Sequence, residues 1–315
     1  MRLLRKLFEI HSPSGHEHSL KKYIHRHIRK NVGGCKVWFD KKGNMYIKKG
    51  EAANYPCMVA HLDQVQQSHP KDFMTVQCDD IIFGYSPKER DFKGLGADDK
   101  VGIWIALQCL EKYDAIKLAF FVEEETGCLG SENADMSFFD DARFVVQCDR
   151  RGNSDMITTI GWTDLCSSAF IKAIEPQAFG YRKQTGMMTD VEALKERGLG
   201  VSCINLSCGY YRPHTDNEFV VISDILKCKA FVEHIIETVK EPSPHIARDI
   251  YLGVYDDTLD ELFDIVDYAL SYNPKLTATE LHEFYHGDYP HATLEQFEEA
   301  VQQWKCFNEP CESEN

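Results

Sequence analysis

Five segments of this chain set histidines and carboxylates directly after a hydrophobic strand or its loop. Cys57-Met58-Val59-Ala60 leads into His61-Leu62-Asp63, and Leu95-Gly96-Ala97 into Asp98-Asp99-Lys100. Phe121-Val122 leads into Glu123-Glu124-Glu125-Thr126-Gly127, Val145-Val146-Gln147 into Cys148-Asp149, and Tyr211-Arg212-Pro213 into His214-Thr215. Imidazole nitrogen and carboxylate oxygen are the donors that zinc-like cations accept. Two cations sharing one bridging acid need a histidine and a further carboxylate each. One more acid, left off the metal, must handle the proton of an attacking water. The five segments together contain that set.

For such side chains to meet, the apolar runs must be neighbouring strands whose C-terminal ends lie on one side. In an open α/β sheet that edge is where ligands and catalytic groups gather. Residues two apart on a strand face the same way, so Asp63 can back up His61. His-x-Asp alone says little, because a polar strand end in a turn is the commoner reading. Its design repeated four more times is what carries information. Cys148 reads as core, since strand neighbours face opposite sides. Asp98 also fits a plain helix N-cap. Arg150, Arg151, Tyr211 and Arg212 lie beside these segments. An arginine there could hold a substrate carboxylate by a bidentate contact or could be ordinary surface, and Arg212 and Tyr211 are taken as candidate substrate-binding residues.

The remaining elements follow from periodicity. Residues 3–8 and 17–30 read as amphipathic helices, separated by a turn at Ser12-Pro13-Ser14-Gly15. Their histidines, His11, His16, His18 and His25, read as solvated or core. Residues 37–39 and 45–47 form a hairpin around Lys42-Gly43-Asn44. Residues 64–93 hold two short strands near 73–76 and 81–83. A helix runs from Asp98. The runs 116–122 and 143–146 suit strands buried on both faces. Helices are expected at 163–173 and 189–197, a strand at 201–206, and a long helix capped by Ser223. After Glu241-Pro242-Ser243-Pro244 the character changes. Three capping boxes follow, Thr258 with Glu261, Thr277 with Glu280 and Thr293 with Gln296, each before apolar residues at helical spacing. The expected division is residues 1–244, carrying the ligand segments, and 245–315, a helical appendage with an acidic tail.

The ordered motifs resemble the co-catalytic di-zinc exopeptidases, a superfamily of zinc aminopeptidases, carboxypeptidases and tripeptidases, and tetrahedral deblocking aminopeptidases. The likeness rests on Ala60-His61-Leu62-Asp63, Gly96-Ala97-Asp98-Asp99-Lys100-Val101-Gly102, Glu124-Glu125-Thr126-Gly127-Cys128-Leu129-Gly130-Ser131, Cys148-Asp149 and Pro213-His214-Thr215-Asp216-Asn217-Glu218. Secondary matches are Ser12–Glu17 and Thr189–Leu194, so it spans residues 5–240. It implies a three-layer α/β/α fold with a mixed, mainly parallel central sheet. It implies that Asp98 bridges two divalent ions, zinc with cobalt or manganese as alternatives. His61 and Asp149 would complete one site, and Glu125 and His214 the other. Glu124 would be the general base and Asp63 would orient His61. A slip of one residue along Glu123-Glu124-Glu125 would move both glutamate roles back by one. Some relatives insert a whole lid or dimerisation domain between these motifs. The corresponding gaps here are too short for one, which implies a compact form.

The function implied is hydrolysis of a peptide or amide bond, most simply by an exopeptidase of aminopeptidase type acting on a peptide or acylated amino acid. An N-acyl amino-acid deacylase, a glutaminyl-cyclase-like enzyme with one zinc, and a non-catalytic binding protein are the rivals. The formal net charge of -15 argues against nucleic acid and anionic membrane as partners. No apolar run reaches membrane-span length, and the first ten residues lack the apolar core of a signal peptide. The twelve cysteines contain no Cys-x-x-Cys. Several fall in apolar strands, so free thiols in a reducing, cytoplasmic setting are expected.

Overall fold

The computed structural model describes residues 1–161, 163–247, 262, 266, 269–270, 273–285 and 292–308, with only the backbone described for 299, 303 and 306–308. The chain divides into two compact units, Met1–Arg248 and Asp249–Asn315.

The first unit is a three-layer α/β/α structure. Its helices are α1 (Arg2–Phe8), α2 (His18–Asn31), α3 (Ala97–Lys112), α4 (Ser168–Ile174), α5 (Asp190–Glu196) and α6 (Ile222–Thr238). Its strands begin with β1 (Cys35–Phe39), β2 (Met45–Lys49), β3 (Tyr55–His61), β4 (Met74–Cys78), β5 (Ile81–Ser86), β6 (Asp91–Lys93) and β7 (Ile116–Phe121). They continue with β8 (Ala142–Arg150), β9 (Asp155–Ile160), β10 (Thr163–Asp164), β11 (Arg182–Gly186), β12 (Cys203–Ser207), β13 (Tyr210–Tyr211) and β14 (Phe219–Val221).

The central sheet runs β1-β2-β7-β3-β8-β12-β9-β10, with β11 also on β9. Its middle, β7-β3-β8-β12, is parallel throughout. Every residue of β3 and β7 is buried, because helices cover both faces and leave no side of these strands for water. One face is packed by α1, α2, α3 and α6 through Leu4, Phe8, Ile24, Leu107 and Phe231. The other is packed by α5 and the 136–139 turn through Val191, Leu194 and Phe138. His61 pairs with Phe121 in register, and Val59 with Gln147. The C-terminal ends of β3, β7 and β8 therefore open onto one edge.

Several local expectations need correction. Residues 163–173 are not one helix. Thr163–Asp164 pairs antiparallel with β9, and α4 starts only where the Ser167 hydroxyl accepts from the Phe170 N–H at 3.1 Å. Ser223 does not cap α6. Asp80, from the β4–β5 turn, accepts the Ser223 N–H at 3.1 Å and a hydrogen bond from the Ser223 hydroxyl as well. Asp98 is not an N-cap either: Gly96 precedes the helix, and Asp98 has non-helical angles (φ -74, ψ 102) inside its first turn. Segment 64–93 contributes three strands, not two. β4, β5 and β6 join β14 and β13 in a separate small sheet, pairing across more than a hundred residues of chain.

In the second unit Ala278–Tyr285 and Leu294–Asn308 are helices that share an apolar cluster of Leu262, Val266, Leu281 and Phe297. Two capping boxes are formed. The Thr277 N–H donates to Glu280 Oε2 at 2.8 Å, and the Thr293 N–H to Gln296 Oε1 at 2.7 Å. The third, Thr258 with Glu261, and the acidic tail lie outside the described residues. No helix among the described residues is long and apolar enough to cross a membrane. Cys57, Cys148 and Cys203 are buried and unbridged, and Cys148 sits in the core as expected.

Candidate metal centre

His61 ends β3, Glu124 and Glu125 follow β7, Asp149 lies near the end of β8, and Asp98 opens α3 beside them. The Asp98 carboxylate links two histidines: Oδ1 is 2.9 Å from His61 Nε2, and Oδ2 is 3.2 Å from His214 Nε2. On the first side, Asp149 Oδ1 lies 3.7 Å and Glu124 Oε2 3.8 Å from His61 Nε2. On the second, Glu125 Oε2 is 3.2 Å from His214 Nε2. Three groups of donor atoms result: His61-Asp98-Asp149 and Asp98-Glu125-His214, which share Asp98, and His61-Glu124-Glu125, which overlaps both. The site is thus capable of coordinating two divalent ions through shared His, Asp and Glu ligands.

Asp63 positions three of these residues. Its backbone carbonyl accepts from His61 Nδ1 at 3.1 Å, which leaves Nε2 as the free donor atom of the ring. Its carboxylate accepts the N–H groups of Glu124 (3.0 Å) and Glu125 (3.2 Å) and the hydroxyl of Ser14 (2.7 Å). The run of three glutamates is sorted by conformation. Glu123 has φ 53 and turns to an ion pair with Lys42, outside the cluster. At Gly130 a Cβ would meet the Val122 carbonyl at 2.3 Å, so this turn can close only on glycine.

Residues that the sequence did not single out hold the first set in place. Tyr210 donates its hydroxyl to Asp149 Oδ1 at 3.1 Å, and Gln147 donates to Asp149 Oδ2 at 3.1 Å. Asp99 accepts the N–H of His61 at 3.2 Å and that of Gly102 at 3.0 Å. A Cβ at Gly102 would lie 2.2 Å from Asp99 Oδ1. The Asp98–Asp99 peptide is cis. Glu218 Oε1 accepts the N–H groups of Ala97 and Asp98, at 3.1 and 3.3 Å, and so does the capping that Asp98 does not. Asp190 accepts from Ser131 at 2.6 Å and from Gln147 at 3.2 Å. Tyr210 is an ordinary strand residue that no spacing rule marks, whereas Gln147 and Glu218 lie within the ligand-bearing segments, where sequence gives them no role. Among the described residues no candidate metal group contains His11, His16, His18 or His25.

The charges are crowded. Burial raises the Asp149 carboxyl well above the usual range, and the Asp98 charge adds to it. Asp99 is raised in the same way by burial and by Asp149. Burial pushes Glu124 up to about 10, and Glu218 up to about 7. Burial would raise Asp98 as well, but hydrogen bonds from His214 and His61 hold it well below the carboxylate range. Burial would lower His61, yet the charges of Glu124 and Asp149 raise it well above an ordinary histidine. Hydrogen bonds to Asp98 and Glu125 raise His214 to about 10. A buried set with more acids than bases is one that cations would relieve. Glu125 Oε1 is also buried without a hydrogen-bond partner, a lone pair left over for a ligand.

Among the described residues Tyr211 and Arg212 make no hydrogen bond or ion pair with the cluster. The Tyr211 hydroxyl donates to Asp224 at 2.6 Å. Both residues line an open cleft of about 320 Å³ with Arg151 and Arg182.

Neither a family model nor a curated protein sequence matches this chain. Solved structures do. Aminopeptidase PepT of Bacillus cereus superposes with a TM-score of 0.61 at 14% identity, over 76% of this chain and 98% of that one. A tripeptidase of Staphylococcus aureus gives 0.61 at 14%, over 75% and 96%. An aminopeptidase of the archaeon Desulfurococcus kamchatkensis gives 0.57 at 18%, over 76% and 95%. At these identities the likeness is one of architecture: the chain has the three-layer fold of these aminopeptidases and this tripeptidase.

Proposed function

We propose that residues 1–244 form a di-metal hydrolase of peptide or amide bonds, an exopeptidase of aminopeptidase type, and that 245–315 are a helical appendage to it. The observation that carries the reading is the Asp98 carboxylate, one oxygen on each of two histidines that have further carboxylates of their own. His61, Asp98 and Asp149 would hold one ion, and Asp98, Glu125 and His214 the other. Zinc suits this mixture of nitrogen and oxygen donors, and cobalt or manganese would also be accepted. Two such ions polarise a scissile carbonyl and acidify an attacking water.

The chain's own residues divide the rest of the work. Glu124 Oε2 lies beside the first set, 3.8 Å from His61 Nε2, within reach of a water held there. It would accept the proton of the attacking water and return it to the leaving amine. Asp63 would set the ring of His61 and, through two backbone N–H groups, the positions of Glu124 and Glu125. Tyr210 and Gln147 would keep Asp149 oriented toward His61. The free, buried thiols favour a cytoplasmic protein, and the short intervals between motifs favour a compact relative lacking a lid domain.

The test is hydrolysis of leucine p-nitroanilide, trialanine and N-acetyl-leucine by protein loaded with zinc. Release from the first two, lost with chelator and restored by zinc, is expected. Release from N-acetyl-leucine alone would replace the exopeptidase reading by a deacylase. No release from any of them would remove the hydrolase reading.

A further inference from the structure

The cleft beside the cluster has three arginines on its walls, Arg151, Arg182 and Arg212, in a chain whose formal net charge is -15. Asp155 is the acid that shares it. Asp155 Oδ1 lies 4.0 Å from Arg182 Nε, and Oδ2 lies 3.9 Å from Arg150 Nε behind the wall. Both are long for a charge-assisted bond. Among the described residues neither Arg151 nor Arg212 has a carboxylate partner. Three arginines and one acid among its lining residues leave the cleft with surplus positive charge.

The walls are held from behind. Asp224 accepts from Asn153 at 2.8 Å and from Tyr211 at 2.6 Å, which ties the two sides of the cleft to one carboxylate. The Ser207 hydroxyl donates to the Arg151 carbonyl at 2.8 Å, and Lys227 donates to the Asn153 carbonyl at 2.7 Å. The Gly152 N–H donates to the Tyr210 carbonyl at 2.9 Å. A cleft fixed in this way loses little freedom when a ligand enters.

Its place is set by the chain. Arg151 is two residues past Asp149, and Arg212 is two before His214. Each Cα is then within about 7 Å of the Cα of a cluster residue, the span of two extended residues. An anion held here would belong to the molecule whose bond lies at the cluster, one or two residues from that bond.

We propose that this cleft is a carboxylate-reading subsite, with Arg151 and Arg212 as specificity-determining residues and Arg182 supporting them. It rests on the hydrolase reading above and narrows it to substrates with a free carboxylate near the scissile bond. That carboxylate is either the C-terminus of a short peptide or an acidic side chain.

The test is calorimetric titration of the full-length Glu124→Gln chain, loaded with zinc, with two pairs of probes. Trialanine and its C-terminal amide differ only in the terminal carboxylate. Ala-Glu-Ala amide and Ala-Gln-Ala amide differ only in a side-chain carboxylate. In at least one pair the acid should bind about tenfold or more tightly, as expected for charge-assisted hydrogen bonds. That ratio should fall to near unity when Arg151→Gln and Arg212→Gln are added, and should shrink with Arg182→Gln alone. The pair that shows the preference identifies the source. No preference in either pair, or a preference that survives the double substitution, overturns the proposal. Binding ratios do not depend on turnover. A wild-type chain that hydrolyses none of the probes would sink the hydrolase reading and leave this result standing, and hydrolysis without carboxylate preference would do the reverse.

Discussion

Replacing Glu124 by Gln removes one titrating group from the buried cluster, and the size of the effect follows from linkage. Glu124 has an ordinary value of 4.5 and is pushed up to about 10, mainly by burial. Between those values the folded, metal-free chain holds a proton on Glu124 that the unfolded chain has lost. The sign is therefore fixed: stability from this group is fully present at low pH and falls as pH rises from 4.5 toward 10. The slope is at most about 1.4 kcal/mol per pH unit. For a unit of this size that is roughly 3–6 °C in Tm per pH unit. Other groups titrate too. Lys100, lowered by burial to about 7, acts in the opposite sense above that pH. It is present in both proteins and drops out of the difference. The assay is thermal melting of chelator-treated wild-type and Glu124→Gln protein from pH 5 to 9. The wild type should match or exceed the variant at pH 5 and fall progressively below it. Curves that stay parallel, or a wild type that gains on the variant with pH, would refute the buried, proton-holding Glu124.

Asp98→Asn should lower zinc content, read by elemental analysis, and should shrink the Tm gain that zinc gives the wild type, because one carboxylate ties both donor sets to the fold. Asp63→Asn should weaken zinc affinity about 10–100-fold in a competition titration with a fluorescent chelator, since the carboxylate lies 3.4 Å from His61 Nδ1 and holds two glutamate N–H groups. Glu124→Gln should keep its zinc while kcat falls by about 10²–10⁴, checked by pairing elemental analysis with turnover of an aminoacyl anilide. Ending the chain at 247 should give a cooperative melt. Ending it at 244 should cost stability, because the N–H of His245 donates to the Gly200 carbonyl at 3.0 Å, on the same edge where Ser202 N–H meets the Ser243 carbonyl at 2.8 Å.

The ligand segments were legible because chemistry and periodicity coincide in them. Three of them follow apolar runs that form β3, β7 and β8, which brings His61, Glu124 and Asp149 to one edge together. The Asp98 segment instead opens α3, and the His214 segment follows the short β13 of the small sheet. Asp98 stood out as a candidate ligand, and its alternative reading as a helix N-cap is the one the structure replaces. The cap role went to Glu218, a carboxylate 120 residues further along the chain, which no local rule can find. The same reason hides the Asp80 cap of α6 and the small sheet, whose strands 81–86 and 219–221 meet only through tertiary pairing. Capping boxes such as Thr277 with Glu280 were legible because both partners lie within one turn. The arginine cleft shows the limit most plainly. Arg151 and Arg212 can be read in sequence as carboxylate-holding or as surface residues, and only the fold brings them together with Arg182.

Metal content per chain tests the central claim most directly, measured by elemental mass spectrometry on untagged protein purified without chelator. About two ions per chain are expected, removed by chelation together with hydrolysis of an aminoacyl anilide and restored with it by zinc. A single ion after zinc has been added back would contradict the shared Asp98 arrangement. No ion under the same conditions would mean that His61, Asp98, Glu125, Asp149 and His214 do not form a metal centre at all.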